Sequence, residues 1–297
     1  MGALEYKFAP AQPLVSARIA IELERGSSNV LWATMARAAE GECQNFSLPL
    51  LHGMRELLQV VRDNGARWPC DDVLAPVHYM VLRSGHPDYF SLGGDLSHFR
   101  ACIERRDKEA LFQYSRLCLD ILYDWATVLN NHATTIALVQ GRALGGGFEA
   151  ALSADYLIAE EHSEFGFPEI LFGLFPCTGG MNLLARRVGV YEAERMMIDG
   201  RIYSAAELKE NGVVDEICPK GDGTLAVHRF IADHGKHRHA RLTLQRARHR
   251  LAPLDYRELL VLVEEWVEAA VHLPETDLKA MDMLIRLQRN SQSPANR

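Results

Sequence analysis

The chain has no apolar run approaching the ~18–20 residues that a membrane-spanning helix needs, so membrane insertion is not expected. Cysteine is scarce: six among 297 residues, at positions 43, 70, 102, 118, 177 and 218, with no C-x-x-C pair. In a chain of this length that excludes a disulfide framework and implies reduced, mostly buried thiols in a cytoplasmic protein. Positive charge is not in excess either. The net charge is −7, which argues against nucleic-acid binding. The opening Met1-Gly-Ala-Leu-Glu-Tyr-Lys7 lacks the basic and apolar segments of a secretory leader, and Tyr6 stands where a myristoylation signal wants Ser or Thr.

Several chemical signatures are missing as well. There is no G-x-x-x-x-G-K-[ST] phosphate loop, no G-x-G-x-x-G fingerprint at the glycine-rich segment and no G-x-S-x-G elbow. No His, Cys, Asp and Glu grouping has metal-ligand spacing, so no metal is expected. What remains is a composition of 48% hydrophobic and 24% charged residues, suited to one large soluble domain or a domain with an appendage.

Periodicity predicts the elements. Alternation marks strands over 17–24 and 29–35, joined by a Gly26-Ser-Ser turn. Leu50, Leu51, Met54, Leu57, Leu58 and Val61 recur at helical spacing between an N-cap at Ser47 and a stop at Asn64-Gly65. A short strand follows over 77–82. A long amphipathic helix is expected over 106–131, its buried stripe marked by Leu111, Leu117, Ile121, Trp125, Val128 and Leu129. Strands are expected over 134–140, 155–159 and 213–219, and short helices over 179–188, 192–198 and 205–211. After residue 219 everything reads as helix. The chain is therefore expected to be an α/β core over 1–221 followed by a helical region over 222–297, divided where Pro219, Gly221 and Gly223 fall together.

The most informative stretch is Gly141-Arg-Ala-Leu-Gly-Gly-Gly-Phe-Glu-Ala-Ala-Leu-Ser153, with Phe165-Gly-Phe-Pro-Glu169 after it. Glycines at the mouth of a helix let a ligand approach bare backbone, and the first N–H groups of a helix have no intrahelical partner. Glu149 lies three residues after Gly146, on the same side of the first turn. Glu169 supplies a second carboxylate. A further donor is expected from the turn Asp88-Tyr-Phe-Ser-Leu-Gly-Gly-Asp-Leu96. Two N–H donors aimed at one oxygen, with two carboxylates beside them, can stabilise an enolate and move protons around it.

In these residues the chain resembles the crotonase (enoyl-CoA hydratase/isomerase) superfamily, over roughly residues 75–220. The resemblance rests on Phe90-Ser-x-Gly-x-Asp-Leu96, Gly141-x-Ala-Leu-Gly-Gly-Gly-x-Glu149, Asp155, Phe165-Gly-x-Pro-Glu169 and Gly173-Leu-x-Pro-x-x-Gly-Gly180. It implies an α/β fold with a spiral core of β-β-α turns and C-terminal helices that mediate oligomerisation, as a trimer or a dimer of trimers. It also implies oxyanion donors at Ser91 (or, with a slipped alignment, Leu92 or Gly93) and at Gly146, with Glu149 and Glu169 as the acid/base pair. Which glutamate is acid and which is base stays open. Leu92, Leu144, Phe148 and Trp266 are the expected substrate-pocket residues.

A narrower likeness is to the bacterial diffusible signal factor synthases, carried by Phe90–Phe99, Ala137–Ser153, Ile158–Glu161, Tyr203–Glu207, Glu265-Trp266 and Met281-Asp282. It implies dehydration of a 3-hydroxyacyl thioester on acyl carrier protein to the cis-2-enoyl thioester. Hydrolysis would then release a cis-2-unsaturated fatty acid, a quorum-sensing signal. The alternative is an enoyl-CoA hydratase acting on coenzyme A thioesters. From a different class, the resemblance permits a regulatory partner of a sensor kinase's receiver domain. No cofactor is implied beyond the phosphopantetheine or coenzyme A that carries the substrate. By residue chemistry alone, Asp95 shapes its turn and Trp266 is core or interface. The basic run Lys236, Arg238, Arg241, Arg246, Arg248 and Arg250 reads as a solvated face, with docking of an acidic carrier protein as its sharper meaning.

Overall fold

The structure is a computed structural model and describes residues 18–39, 42–127, 129 and 132–290. The parts of expected elements that fall on Ala17, Val128, Asn130 and Asn131 lie outside the described residues, as do both ends of the expected domain ranges.

The chain repeatedly lays a strand in a first sheet, a strand in a second sheet, and then a helix. It opens with an antiparallel hairpin, β1 (Ile19–Glu24) and β2 (Val30–Met35), followed by helix α1 (Leu48–Asp63). A two-stranded ribbon, β3 (Arg67–Cys70) and β4 (Val73–Pro76), precedes the repeats. The first repeat is β5 (Tyr79–Ser84), β6 (Tyr89–Ser91), α2 (Leu96–Arg105) and α3 (Lys108–Thr127). The second is β7 (Thr134–Val139), β8 (Arg142–Leu144) and α4 (Gly146–Leu152). The third is β9 (Tyr156–Glu160), β10 (Glu164–Gly166), a 3₁₀ turn (Pro168–Phe172), α5 (Gly180–Val188) and α6 (Val190–Ile198). Then come β11 (Tyr203–Ser204), α7 (Ala205–Glu210) and β12 (Glu216–Cys218), and four helices: α8 (Gly223–Gly235), α9 (Arg238–Leu251), α10 (Tyr256–Ala270) and α11 (Glu275–Asn290).

The first sheet runs β1-β2-β5-β7-β9-β12, parallel from β2 onward, and the second runs β11-β10-β8-β6. This is the mixed α/β spiral that the motifs imply. Every residue of β7 is buried, because helices cover both faces of a parallel sheet. One face is packed by α1, α3 and α4. On the other, Val227, Phe230 and Ile231 of α8 meet Trp32, Tyr79 and Ile158. No helix among the described residues is long and apolar enough to cross a membrane.

Local chemistry explains most boundaries. Ser47 holds extended backbone before α1, and a proline sits in the first turn, where its missing N–H costs nothing. The helix expected over 106–131 starts later, at Lys108. Arg106 adopts φ 55°, a left-handed conformation that ends α2 and separates the two helices. The strand expected over 77–82 lies at Tyr79–Ser84, and the one over 213–219 shrinks to Glu216–Cys218. Periodicity missed the whole second sheet, since strands of two or three residues are too short to alternate visibly.

Candidate active site

The second sheet and the helix mouths beside it bring the motif residues together. Gly145 caps α4 with φ 52°, and its carbonyl accepts from Phe148 N and Glu149 N. Gly145 N donates to Gly166 O at 2.9 Å, which ties the helix mouth to β10. A side chain on Gly147 would place its Cβ 2.2 Å from Ser91 O, so only glycine lets α4 pack this closely on β6.

The oxyanion geometry differs in detail from the sequence expectation. Leu92 N donates to Gln44 O at 2.7 Å and Gly93 N to Ser91 Oγ at 3.2 Å, so both N–H groups are committed elsewhere. Ser91 is a β6 residue in the ladder with β8 and does not line the cavity. The uncommitted donor of this turn, among the described residues, is Gly94 N. It lies 3.5 Å from the point above Gly146 where a Cβ would stand, and Glu149 Oε2 lies 3.8 Å from the same point. Gly146 is the first residue of α4, so its N–H has no intrahelical acceptor. The N–H groups left uncommitted at this mouth are therefore those of Gly94 and Gly146, whereas those of Leu92 and Gly93 are taken. Register along a glycine-rich turn cannot be read from spacing, because it depends on which N–H groups neighbouring strands consume. The turn is held firmly: Phe46 N donates to Gly93 O at 2.9 Å, Asp95 N to Tyr114 Oη at 3.0 Å, and Tyr114 Oη to Phe46 O. Asp95 caps α2 through His98 N, a shaping role.

The two carboxylates have different surroundings. Glu149 is buried, and its Oε1 accepts from Thr178 N (2.9 Å) and Gly180 N (2.8 Å) while Oε2 accepts from Thr178 Oγ1 (2.6 Å). Burial pushes its carboxyl above the ordinary range, and these three donors pull it back toward the ionised form. Glu169 has only its own backbone N–H as such support. Its Oε2 is sealed without a partner among the described residues, and its Oε1 lies 2.4 Å from where a Cβ on Gly145 would be. Burial, and then the nearby Glu149 charge, push Glu169 up to about 8. One glutamate is thus built to carry the charge and the other to hold a proton at neutral pH.

Both open onto a cavity of about 450 Å³ with predominantly apolar walls. Leu92, Leu144 and Trp266 line it, and Trp266 meets Phe99 edge-on at 4.9 Å. Phe148 does not. It is fully buried, stacked on Phe167 at 4.8 Å and packed against Phe165, because its position on α4 turns it away from Glu149 into the core. Sequence reasoning missed the α3 wall (Ser115, Cys118, Ile121, Leu122 and Trp125) and the clamp on Glu149 from Thr178 and Gly180. The signal was present in the α3 apolar stripe, which reads as ordinary core until a cavity is seen beside it. Cys118 and Cys177 also line the cavity, but burial first and the Glu149 charge second push both thiols up, which disfavours nucleophilic thiolates. Among the described residues no cluster of His, Cys, Asp and Glu could hold a metal ion.

The basic helix α9 lies elsewhere. Gln245 bonds Ala133 O and Thr134 Oγ1, and Arg248 and His249 bond Asp155, all at the starts of β7 and β9. The glycine-rich mouth at Gly145 and Gly146 follows the opposite end of β7.

Comparison with known proteins places the fold and the motifs in a family. The family model of enoyl-CoA hydratase/isomerase matches residues 75–244, more than half of the chain. The chain belongs to that family. Its similar proteins include one described as a probable enoyl-CoA hydratase from Rhizobium meliloti (strain 1021), 36% identical over 126 residues, which are 42% of this chain and 49% of that protein. The 2,3-dehydroadipyl-CoA hydratase of Escherichia coli (strain K12) is 33% identical over 168 residues, 57% of this chain and 62% of that protein. The matched segments thus span about half to three-fifths of these relatives' lengths. Among solved structures, an enoyl-CoA hydratase from Bacillus halodurans superposes with a TM-score of 0.70 at 20% identity, covering 89% of this chain and 99% of its own. The human mitochondrial delta3-delta2-enoyl-CoA isomerase superposes at 0.72 with 18% identity, covering 92% and 99%. At such identities the likeness is one of fold.

Proposed function

We propose that this protein adds water reversibly to the double bond of a 2-enoyl thioester carried on coenzyme A, a lyase of the hydratase type. The observation that carries this reading is the pairing of two uncommitted N–H donors with two differently poised carboxylates at the mouth of an apolar cavity. The thioester oxygen sits between Gly94 N–H and Gly146 N–H. Glu149, ionised, takes a proton from water, and the water oxygen bonds to C3 of the enoyl chain. The C2–C3 π electrons shift into the thioester as an enolate, stabilised by the two donors. Glu169, protonated, delivers its proton to C2. Run backward, the same steps dehydrate a 3-hydroxyacyl thioester. Each oxyanion donor of this kind contributes roughly 3–4 kcal/mol to lowering the barrier.

The test is hydration of medium-chain 2-enoyl-CoA, followed by loss of the conjugated absorbance. Glu149→Ala and Glu169→Ala are expected to lose turnover while keeping the wild-type circular dichroism. A fully active double variant would overturn the acid/base assignment.

A second reading shares the site: dehydration of a 3-hydroxyacyl chain on acyl carrier protein, then hydrolysis to a free cis-2-unsaturated acid that serves as a quorum signal. It uses the same apolar cavity, which suits a medium or long acyl chain on either carrier. Offering the same acyl chain on both carriers and weighing released acid by mass spectrometry separates the two readings. Exposed Leu171, Ile198, Ile202, Met283 and Leu287 support assembly into a trimer or dimer of trimers, which sedimentation tests. Binding to a receiver domain is a third role, and a pull-down that survives the double glutamate variant would favour it.

A further inference from the structure

Two helices leave the catalytic end of the cavity together. On α4, Gly146 and Glu149 stand at the mouth, and Ala150 and Ser153 continue the wall inward. On α3, Tyr114 bonds the oxyanion turn and Cys118 lies within electrostatic reach of Glu149. Beyond Cys118, the lining residues Leu122 and Trp125 follow at steps of four and three, so they share one helical face. Trp125 stands two turns past Cys118, about 10 Å deeper along the axis. It is 2% exposed and belongs to the apolar core. Its indole N–H has no hydrogen-bond partner among the described residues, so the ring meets its surroundings through shape and apolar surface.

We infer that Trp125 is the floor of an acyl channel running along α3, and that it sets the longest chain the protein accepts. Leu122, one turn above, narrows the same channel. The inference rests on reading the site as one for acyl thioesters, and it adds the residue that selects among them by length. Chain discrimination of this kind needs no polar contact. An alkyl terminus that outgrows the channel must push against a packed ring, whereas a shorter one leaves apolar space unfilled.

Because the indole N–H donates to nothing, Trp125→Phe removes ring volume without breaking a hydrogen bond. Leu122→Phe does the opposite and adds volume one turn above that ring. The experiment measures kcat/KM of the full chain for straight 2-enoyl-CoA esters from crotonyl to hexadecenoyl, read as the long-to-short ratio for each variant. Trp125→Phe is expected to raise that ratio about tenfold just beyond the wild-type limit, and Leu122→Phe to lower it about tenfold at the limit, as one methylene of room allows. Saturated acyl-CoA esters, which a hydratase cannot turn over, are titrated in parallel for binding. Opposite shifts in binding without any turnover would sustain the channel and reject the hydratase reading. Wild-type ratios in both variants, or shifts in the same direction, would overturn the inference.

Discussion

Replacing Glu169 by Gln should stabilise the protein more as pH rises. Glu169 is held neutral in the folded state, with its carboxyl raised from 4.5 to about 8 by burial and the Glu149 charge. In the unfolded chain it ionises at its ordinary value. Below 4.5 both states are protonated and the group costs nothing. Between 4.5 and about 8 the unfolded state gains charge while the folded state keeps its proton, so stability falls with pH. The limiting slope is about 1.4 kcal/mol per pH unit, which integrates to at most about 5 kcal/mol. Glu169 keeps part of its surface exposed and shares one charge with Glu149, so about 2 kcal/mol is the expected change. Glu169→Gln has the same shape and no titration. Its stability advantage should therefore grow by about 2 kcal/mol from mildly acidic to mildly alkaline pH, and level off above about 8. Urea unfolding of both proteins at roughly pH 5, 7 and 9 reads this gap. A gap that stays flat across the series would refute the assignment of Glu169 as the buried neutral carboxyl.

Other consequences are equally open to measurement. In the hydration direction, kcat/KM should fall as pH rises through about 8, because Glu169 loses the proton it donates; a rising profile would contradict that role. Thr178→Val removes the 2.6 Å hydroxyl bond to Glu149 and leaves the two backbone donors. A charge-assisted bond contributes about 1.5–3 kcal/mol, so the acidic limb of the pH profile should move up by about one unit or more. Gly145→Ala sets a Cβ 2.4 Å from Glu169 Oε1 at φ 52°, and turnover should drop about a hundredfold as the carboxyl is displaced. Asp155→Ala strips Arg248, His249 and Thr135 of their buried acceptor, and should cost about 3 kcal/mol of stability while kcat holds, since the cluster lies at the far end of β7.

Much of the first sheet was legible because its strands and helices are long enough to show their period. α1 shows its apolar face in Leu50, Leu51, Met54, Leu57, Leu58 and Val61, and all are buried. The second sheet was illegible because its strands run for only two or three residues and owe their form to neighbours. It is also the sheet that aims the site. Glu149 and Glu169 were legible because helix spacing and a Pro-Glu turn place them locally.

The sequence by itself determined the candidate groups: two carboxylates, a glycine-rich helix mouth and a second turn able to offer an N–H. Those follow from local backbone geometry, which a short motif encodes. Only tertiary structure decided which N–H of that turn is left over, since Gln44 and Ser91 consume the donors on Leu92 and Gly93 and spare Gly94. It also decided that Phe148 packs in the core while α3 walls the cavity. And it poised one glutamate apart from the other, by surrounding Glu149 with three donors and Glu169 with none of them. Hydrogen-bond commitment, facing and desolvation all depend on neighbours far away in the chain.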